Sequence, residues 1–432
     1  MFKAGAAEVC ITPPIGVELA GYGPNLQRYS TDIHDHLMGQ ALVMDDGQTR
    51  VAIVTCDLIA LSEAFVRQVR QLVHRRTGIP PAQVMVACIH SHTAPTTQQF
   101  QSWGSPDRSY VRMAARHLAG AVVAATLKLQ PAHLSFGRGR HEALAWNRTG
   151  DGVVDPTVEV LRVESAAGEP LALLVHYACH PVILGPKPII SADYPGALRQ
   201  HLAQRYPGAV VLFVNGACGD IDPVTNREVW GQGTFDDVDA AGAGLTEAAW
   251  IAASKATPVE PPRIAVRQGA LKMAYAVPSL EEVRAQIAHF QAEARQLGRQ
   301  PERFEEVTGE VKMPRFWLGY YRSLERRLLA NDLPAHSQAE LQAFCLGEQG
   351  VLLAVPAEVY TAEGMTIRAE APFEHTLLAC YANGIVGYIP PAREFARGGY
   401  AARLAAAVYG GAPFQPDIAE RLVRSALALV RA

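Results

Sequence analysis

The sequence has little of what nucleic-acid-binding, secreted and membrane-spanning proteins usually need. Its formal charge is only −3 over 432 residues, so nothing electrostatic points to nucleic acid or an anionic membrane as a partner. No stretch approaches the roughly 18 unbroken apolar residues of a membrane span. The seven cysteines form no CxxC pair, which is typical of reduced thiols. The N-terminal stretch is too weakly apolar for a signal peptide, and we expect a cytoplasmic protein.

What the sequence does contain is an alternation of short apolar runs and helical patterns. Residues 50–56 and 84–89 read as buried strands, and residues 63–76 between them carry apolar residues at helical spacing. This alternation predicts an α/β fold with a mixed, largely buried sheet flanked by helices. Further predicted strands cover residues 158–163, 171–177, 209–214, 350–355 and 376–381.

A charged segment interrupts the strand pattern in the second half of the chain. Residues 279–345 carry Glu, Arg and Gln on one face and Leu, Phe and Trp on the other, which predicts long helices. Because the strand pattern resumes after this segment, we interpret it as a helical insertion. The whole chain, residues 1–432, is then expected to form a single domain.

The stretch VACIHSHTAP, residues 86–95, places His90 and His92 directly after a buried strand. In an extended chain, residues two apart point to the same side, so both imidazoles could face one cleft. Open α/β sheets tend to hold ligands at the carboxyl ends of their strands. A hydrogen-bonded pair of histidines at a strand end would explain the motif equally well.

Similar junctions follow three other apolar runs. LALLVHYACHP carries His176 and His180, GVLLAVPAEVY carries Glu358, and LLACYANGIVGY carries Tyr388. Imidazole nitrogens and carboxylate oxygens are good zinc ligands, and catalytic zinc makes hydroxide available near neutral pH. Histidines gathered from distant strand ends favour a metal site over simple packing.

A further junction, VVLFVNGACGDIDP, contains Asp220 and Asp222 after a glycine-rich turn. It lacks the spacing of a phosphate-binding loop, so we expect the two carboxylates to line a polar pocket or to bind a hard cation. A turn that caps a helix would explain them as well. Arg148 and Tyr400 would, taken alone, be assigned to the surface and to packing.

Together these segments resemble the amino-terminal catalytic domain of the neutral/alkaline, non-lysosomal ceramidase family, from about residue 4 to 410. The markers that carry the resemblance are AGAAEVCITPP, DIHDHL, VTCDL, CIHSHTAP, WNRT, ACHP, SADYPG, NGACGDIDP, PAEVYT and GYIPPAREFARGGY. Their order and spacing carry the resemblance, since no single marker is decisive.

The resemblance implies a zinc ion held by His90, His180, Glu358 and Tyr388. It implies that His92 moves a proton beside the metal. Hydrolysis of an N-acyl amide by metal-activated water is the implied reaction.

Arg148 and Tyr400, together with Tyr388, are similar to the family residues that contact the reacting group. Tyr400 stands twelve residues after Tyr388, as the family pattern requires. Asp57, like His34 and His36, lies in a family marker and could belong to the outer shell of the site, and Asp193 could orient a ligand imidazole from behind. Ordinary loop and strand-end roles would explain these residues as well.

Two departures from the family pattern bear on the substrate. Asp222 stands where the family's GDxSPN motif has serine, which argues against a serine nucleophile and suits a substrate with an amine or several hydroxyls. The family's longer members add a carboxyl-terminal β-sandwich domain, which we do not expect here.

The implied partner is a small-molecule or lipid N-acyl compound, ceramide included. A zinc esterase for soluble acyl compounds and a silent binding protein on the same scaffold remain alternatives. A homo-oligomer is left open.

Overall fold

A computed structural model of the chain describes residues 1–22, 28–101, 104–229, 231–296 and 309–432. In chain order its strands are β1 (Lys3–Cys10), β2 (Glu18–Leu19), β3 (Arg28–Tyr29), β4 (Asp32–Ile33), β5 (Met38–Asp45), β6 (Arg50–Cys56), β7 (Val84–Cys88), β8 (Gln130–Arg140), β9 (Ala145–Asn147), β10 (Thr157–Ser165), β11 (Pro170–Tyr177), β12 (Ile189–Ile190), β13 (Val210–Asn215), β14 (Ile221–Pro223), β15 (Thr257–Pro258), β16 (Ile264–Ala274), β17 (His336–Leu346), β18 (Gly350–Ala354), β19 (Glu358–Val359), β20 (His375–Ala379) and β21 (Tyr388–Ile389).

The helices of the described residues are α1 (Glu63–Thr77), α2 (Arg108–Leu127), α3 (Tyr194–Arg205), α4 (Phe235–Ser254), α5 (Leu280–Gln296), α6 (Gly309–Leu329), α7 (Thr361–Glu370), α8 (Ala392–Arg397), α9 (Leu404–Val408) and α10 (Ile418–Arg431). Among them, none combines the length and apolarity that crossing a lipid bilayer requires. Local sequence sets the ends of α1: the Ser62 side chain accepts from the amide of Phe65, and Gly78 ends the helix in the left-handed conformation.

The strands form two principal sheets. The larger has the order β13-β11-β10-β8-β1-β5-β6-β7, with β15 beside β8, and the smaller has the order β16-β17-β18-β20. The pairs β6–β7, β11–β13 and β18–β20 are parallel, and the other neighbours in these sheets are antiparallel. This confirms the predicted α/β fold with a mixed sheet.

Both faces of the larger sheet are buried, because alternate side chains of its strands pack into two different core clusters. Ala41 and Val43 of β5 join a core cluster that includes helices α1 to α4. Leu42 and Met44 instead join a cluster shared with Phe344 of the smaller sheet. The two sheets therefore pack face to face, with helices on the outside, and α10 covers β16 and β17. This stacking explains why the strands read as continuous apolar runs.

The helical insertion is shorter than the predicted segment 279–345. Helices α5 and α6 pack on each other, while residues 336–346 form strand β17 in the middle of the smaller sheet. Ala339, Leu341 and Ala343 alternate with Glu340 and Gln342 there, which is the period of a strand. The sequence prediction failed because these residue types favour helices, whereas burial of one face decided the outcome. Part of the predicted segment, 297–308, lies outside the described residues.

The carboxyl ends of strands from both sheets meet at one place. Just beyond β20, the Cys380 amide donates to the Asn215 carbonyl at the end of β13, at 3.0 Å. The Asn383 amide donates to the Val86 carbonyl of β7 at 2.7 Å. Segments that follow β7, β11, β13, β18 and β20 are thereby gathered around one cavity.

Candidate active site

A cavity of about 720 Å³ opens where these strands end. His90, His92, Asp222 and Glu358, all predicted from the strand junctions, line this cavity, and polar or aromatic side chains form most of the rest. Its lining comprises Gly21, Tyr22, His90, His92, Trp146, Arg148, Thr149, Val182, Asp222, Asn226, Arg227, Glu228, Glu358, Tyr360, Tyr388, Glu394, Arg397, Gly399 and Tyr400.

Three buried histidines and one buried carboxylate converge at the back of this cavity. Ring nitrogens of His90, His92 and His180 all lie within 4.8 Å of one another, an arrangement that could hold a metal ion. Oε2 of Glu358 lies 3.3 Å from Nε2 of His90 and 3.3 Å from Nε2 of His180. The sequence motifs predicted this meeting of distant strand ends.

Backbone carbonyls fix the direction of two imidazoles. Nδ1 of His90 donates to the Ile59 carbonyl at 2.6 Å, and Nδ1 of His180 faces the carbonyls of Cys218 at 2.7 Å and Ile221 at 3.0 Å. Because a carbonyl can only accept, each Nδ1 carries a proton, and Nε2 is the ring nitrogen that faces Glu358. Such anchoring of the second ring nitrogen is usual for metal-binding histidines.

The backbone at the HxH motif is held in a conformation that side chains rarely adopt. His90 has a positive φ of 69°, and Tyr381 has a positive φ of 56°. The Tyr381 ring stacks on the His90 imidazole, with the ring centres 4.1 Å apart. Gly21 presses against the second histidine, since a Cβ added there would lie 2.6 Å from Cγ of His92. These contacts leave the two imidazoles little freedom.

The charges at this cluster follow from its burial. Burial opposes ionisation of Glu358, but the neighbouring His90 and His180 outweigh it and hold the pKa of this carboxyl well below its usual range. Burial also lowers the pKa of His92 well below its usual range. The His92 ring is therefore neutral at neutral pH, with Nε2 3.0 Å from Nε2 of His90.

Arg148 links the remaining predicted residues into one network. Its guanidinium donates to the Tyr388 hydroxyl at 2.9 Å, to Oδ1 of Asp222 at 3.1 Å and to the Gly219 carbonyl at 2.8 Å. It also lies 5.8 Å from the ring centre of Tyr400. Arg148 therefore holds neighbouring residues in place, and it also lines the cavity, where a ligand could contact it.

Tyr388 reaches the cluster through a short parallel pair of strands, β19 and β21, in which Glu358 and Tyr388 are direct partners. Its ring meets that of Tyr400 edge to face at 5.6 Å. Both tyrosines line the cavity, as the family resemblance implied.

Asp220 does not lie on the cavity wall, where a contact with substrate was expected. Its carboxylate oxygens accept from Nδ2 of Asn147 and from the Thr361 amide, each at 2.8 Å, and it is not among the described residues that line the cavity. Strand β14 begins only at Ile221, so Asp220 precedes it, and the two-residue alternation that should align it with Asp222 does not apply. Asp220 joins the end of β9 to the start of α7 behind the site.

The two aspartates expected behind the ligand histidines also act elsewhere. Asp57 forms a buried ion pair with Arg199, with Nη1 and Oδ1 at 2.8 Å. Asp193 accepts from the amides of Tyr194 at 2.8 Å and Leu184 at 3.2 Å, which caps α3. Both stabilise the loops that carry the site.

Sequence reasoning missed Tyr409, which donates from its hydroxyl to Oε1 of Glu358 at 2.7 Å. Its ring packs edge to face on Phe100 at 5.4 Å. A tyrosine in an alanine-rich helix end carries no motif, so only the folded chain reveals the contact. Gly21, Tyr22 and Tyr381 were missed for the same reason.

The fold and the site define an α/β protein with a buried histidine and carboxylate cluster, suited to a metal ion, at the ends of its strands. The family model described as neutral/alkaline non-lysosomal ceramidase, N-terminal, matches residues 2–232. The chain therefore belongs to the neutral/alkaline non-lysosomal ceramidase family.

Solved structures agree at the level of the fold. Neutral ceramidase from Pseudomonas aeruginosa superposes with a TM-score of 0.75 at 19% identity, over 100% of this chain and 74% of that one. A ceramidase complexed with C2 superposes with a TM-score of 0.74 at 19% identity, over 99% of this chain and 75% of that one.

Proposed function

We propose that the chain is a zinc-dependent hydrolase that cleaves the amide bond of an N-acyl compound, either ceramide or a smaller relative. Family membership supports the reaction class. The observation that carries the proposal is the meeting of two anchored imidazoles, His90 and His180, with the Glu358 carboxylate inside an open cavity.

In this proposal His90, His180, Glu358 and Tyr388 hold the metal. The donor set fits zinc, because imidazole nitrogen and carboxylate oxygen are its preferred ligands besides thiolate. The two Nε2 atoms and the buried Glu358 carboxylate converge on one point, where all three could bind a cation. When bound, zinc supplies a Lewis acid for the amide carbonyl and an activated water at neutral pH.

His92 moves the proton. Its neutral Nε2 accepts a proton from the attacking water and passes it to the leaving nitrogen. A new C–O bond forms as the C–N bond breaks, so the products are a carboxylic acid and an amine. An amine is a poor leaving group until it is protonated, which is why the step needs a proton donor.

Arg148 and Tyr400 bind and orient the reacting group. The Arg148 guanidinium is fixed by three acceptors and presents its charge to the cavity beside Tyr388. A fixed cation next to the scissile carbonyl stabilises the negative charge that develops on the amide oxygen. Tyr400 is 42% exposed and forms part of the outer wall.

The test is hydrolysis of an amide series from N-acetyl to N-palmitoyl by the full chain, with matched esters alongside. We expect amide cleavage that a chelator abolishes and stoichiometric zinc restores, together with zinc in the protein as isolated. Chelator-sensitive cleavage of the esters alone would replace the amidase with an esterase. Zinc-loaded protein that cleaves neither series would favour a silent binding protein.

A further inference from the structure

The walls of the cavity point to a substrate class. We propose that the chain acts on N-acyl derivatives of polyhydroxylated amines, such as amino sugars or aminocyclitols, with a short acyl group. This inference rests on the proposed function, because it names the amine and acyl parts that the same site accepts.

Asp222 is the first observation. It is 1% exposed, it lines the cavity, and only its Oδ1 is engaged, by Arg148 at 3.1 Å, among the hydrogen bonds of the described residues. Arg148 in turn contacts the Tyr388 hydroxyl, so Asp222 stands one side chain away from the proposed reaction centre. Its Oδ2 is therefore free to accept a hydrogen bond from a hydroxyl on a carbon adjacent to the one that bears the scissile nitrogen, or from the ammonium group of the product.

Ceramide and amino sugars both carry a hydroxyl on a carbon adjacent to the one that bears the amide nitrogen, so Asp222 alone does not distinguish them. The residues farther along the wall must therefore distinguish the two substrate classes. Trp146 is the direct cross-strand partner of Asp222 and is half-buried along the cavity. Asn226, Arg227 and Glu228 continue the wall toward the mouth, where the last two are exposed. An indole face beside amide, guanidinium and carboxylate groups matches a ring that has apolar C–H faces and a rim of hydroxyls.

The same wall offers little to a long hydrocarbon chain. Among the described residues that line the cavity, Val182 is the only one with an aliphatic side chain. Burial of each methylene would contribute roughly 0.8 kcal/mol in an aliphatic groove, and it would contribute less where the chain passes charged side chains. A sphingoid tail laid against Arg227 and Glu228 would instead separate these charges from water.

A second cavity of about 410 Å³ lies on the other side of Tyr388. Ile385, Phe395 and Phe414 line it, and Tyr388 and Tyr409 form part of its wall. Hydroxyl contacts to Arg148 and to Glu358 hold these two tyrosines in place. A long acyl chain would have to displace them to enter, whereas an acetyl group would not need to enter this cavity. The arrangement therefore favours a short acyl group.

The experiment compares four amides with the full chain as isolated: N-acetyl and N-palmitoyl derivatives of glucosamine and of sphingosine. Product binding is measured separately by titration calorimetry with glucosamine and with sphingosine, which requires no turnover. We expect the N-acetyl amino sugar to be cleaved with the highest kcat/KM and glucosamine to bind more tightly than sphingosine.

Substitutions locate the recognition. Asp222→Asn should weaken glucosamine binding about tenfold to hundredfold, because the substitution removes the buried charge that accepts a hydrogen bond from the ligand. The exposed Arg227→Gln and Glu228→Gln test the outer wall without risk to the core, and each should weaken the binding measurably. Asp236→Asn, on the exposed first turn of α4, is the matched control and should leave binding unchanged.

The outcomes separate this inference from the proposed function. Preference for N-palmitoyl sphingosine, insensitive to Asp222→Asn, would overturn the inference and leave the amidase intact. Binding of glucosamine that depends on Asp222, without cleavage of any amide, would overturn the amidase and support recognition of a polyhydroxylated amine. Neither binding nor cleavage would overturn both.

Discussion

The hydroxyl of Tyr409 donates a 2.7 Å hydrogen bond to Oε1 of Glu358, although 51 residues separate them in the chain. The other oxygen, Oε2, is the one that faces His90 and His180. Tyr409 therefore determines which carboxylate oxygen is presented to the histidines.

The first prediction concerns this contact. Tyr409→Phe keeps the ring that packs on Phe100 but removes the hydroxyl, and zinc affinity should fall about 10- to 100-fold because Glu358 loses its orientation. Competition with a chromogenic chelator measures the affinity. Tyr275→Phe, which loses only a hydroxyl contact to Ser337, is the control. Equal affinities in the two variants would contradict the assignment of Tyr409.

The second prediction separates metal ligands from the proton-transfer group. His90→Ala should abolish stoichiometric zinc, whereas His92→Ala should retain zinc and lose roughly 100- to 10,000-fold in kcat. Elemental analysis of the purified variants gives the metal content. His201→Ala, on the outer helix α3, should keep both. Loss of zinc from the His92 variant would make this residue a ligand instead.

The third prediction uses backbone geometry near His92. A Cβ at Gly21 would lie 2.6 Å from the His92 ring, so Gly21→Ala should displace the imidazole and lower kcat without removing zinc. Gly16 has a similarly positive φ of 91°, but a Cβ there meets nothing within 4 Å. Gly16→Ala should therefore cost about 1 kcal/mol of stability and leave kcat unchanged. If both variants lost activity equally, the clash would not be the cause.

The fourth prediction is a pH effect outside the metal cluster. Burial lowers the pKa of His176 from 6.5 to about 4. The unfolded chain therefore binds the proton more strongly, and the stability present above pH 6.5 is lost as the pH falls toward 4. At pH 5 this amounts to about 2 kcal/mol.

His176→Leu removes that contribution, so its free energy of unfolding should depend less steeply on pH than that of the wild type. Urea unfolding of both proteins at pH 7.5 and at pH 5 gives the change in the free energy of unfolding between the two pH values for each. Subtracting one change from the other cancels the titration of all groups that the two proteins share. Parallel pH dependences would show that His176 is not neutral in the folded state.

The sequence predicted the site better than its surroundings. His90, His180 and Glu358 each follow an apolar strand, and strand ends converge by the general rules of α/β folds. The family resemblance then added Arg148 and Tyr400, which no local pattern identifies.

Strand β17 of the smaller sheet and the contacts that orient the site histidines could not be predicted from the sequence. Strand β17 is built of good helix formers, so only the burial of alternate residues reveals it. The carbonyls that orient His90 and His180 belong to loops whose sequences carry no sign of the contact. Such contacts depend on how distant segments meet, and the sequence does not encode them locally.

The widely spaced ligands have a consequence for synthesis. His90 and His180 leave the ribosome well before Glu358 and Tyr388 are translated, and the latter two meet as partners only when β19 pairs with β21. A nascent chain thus possesses only half of its proposed metal ligands and cannot retain the ion tightly. Metal uptake would then act as a checkpoint on completed translation, and a product stopped before β19 would remain inert.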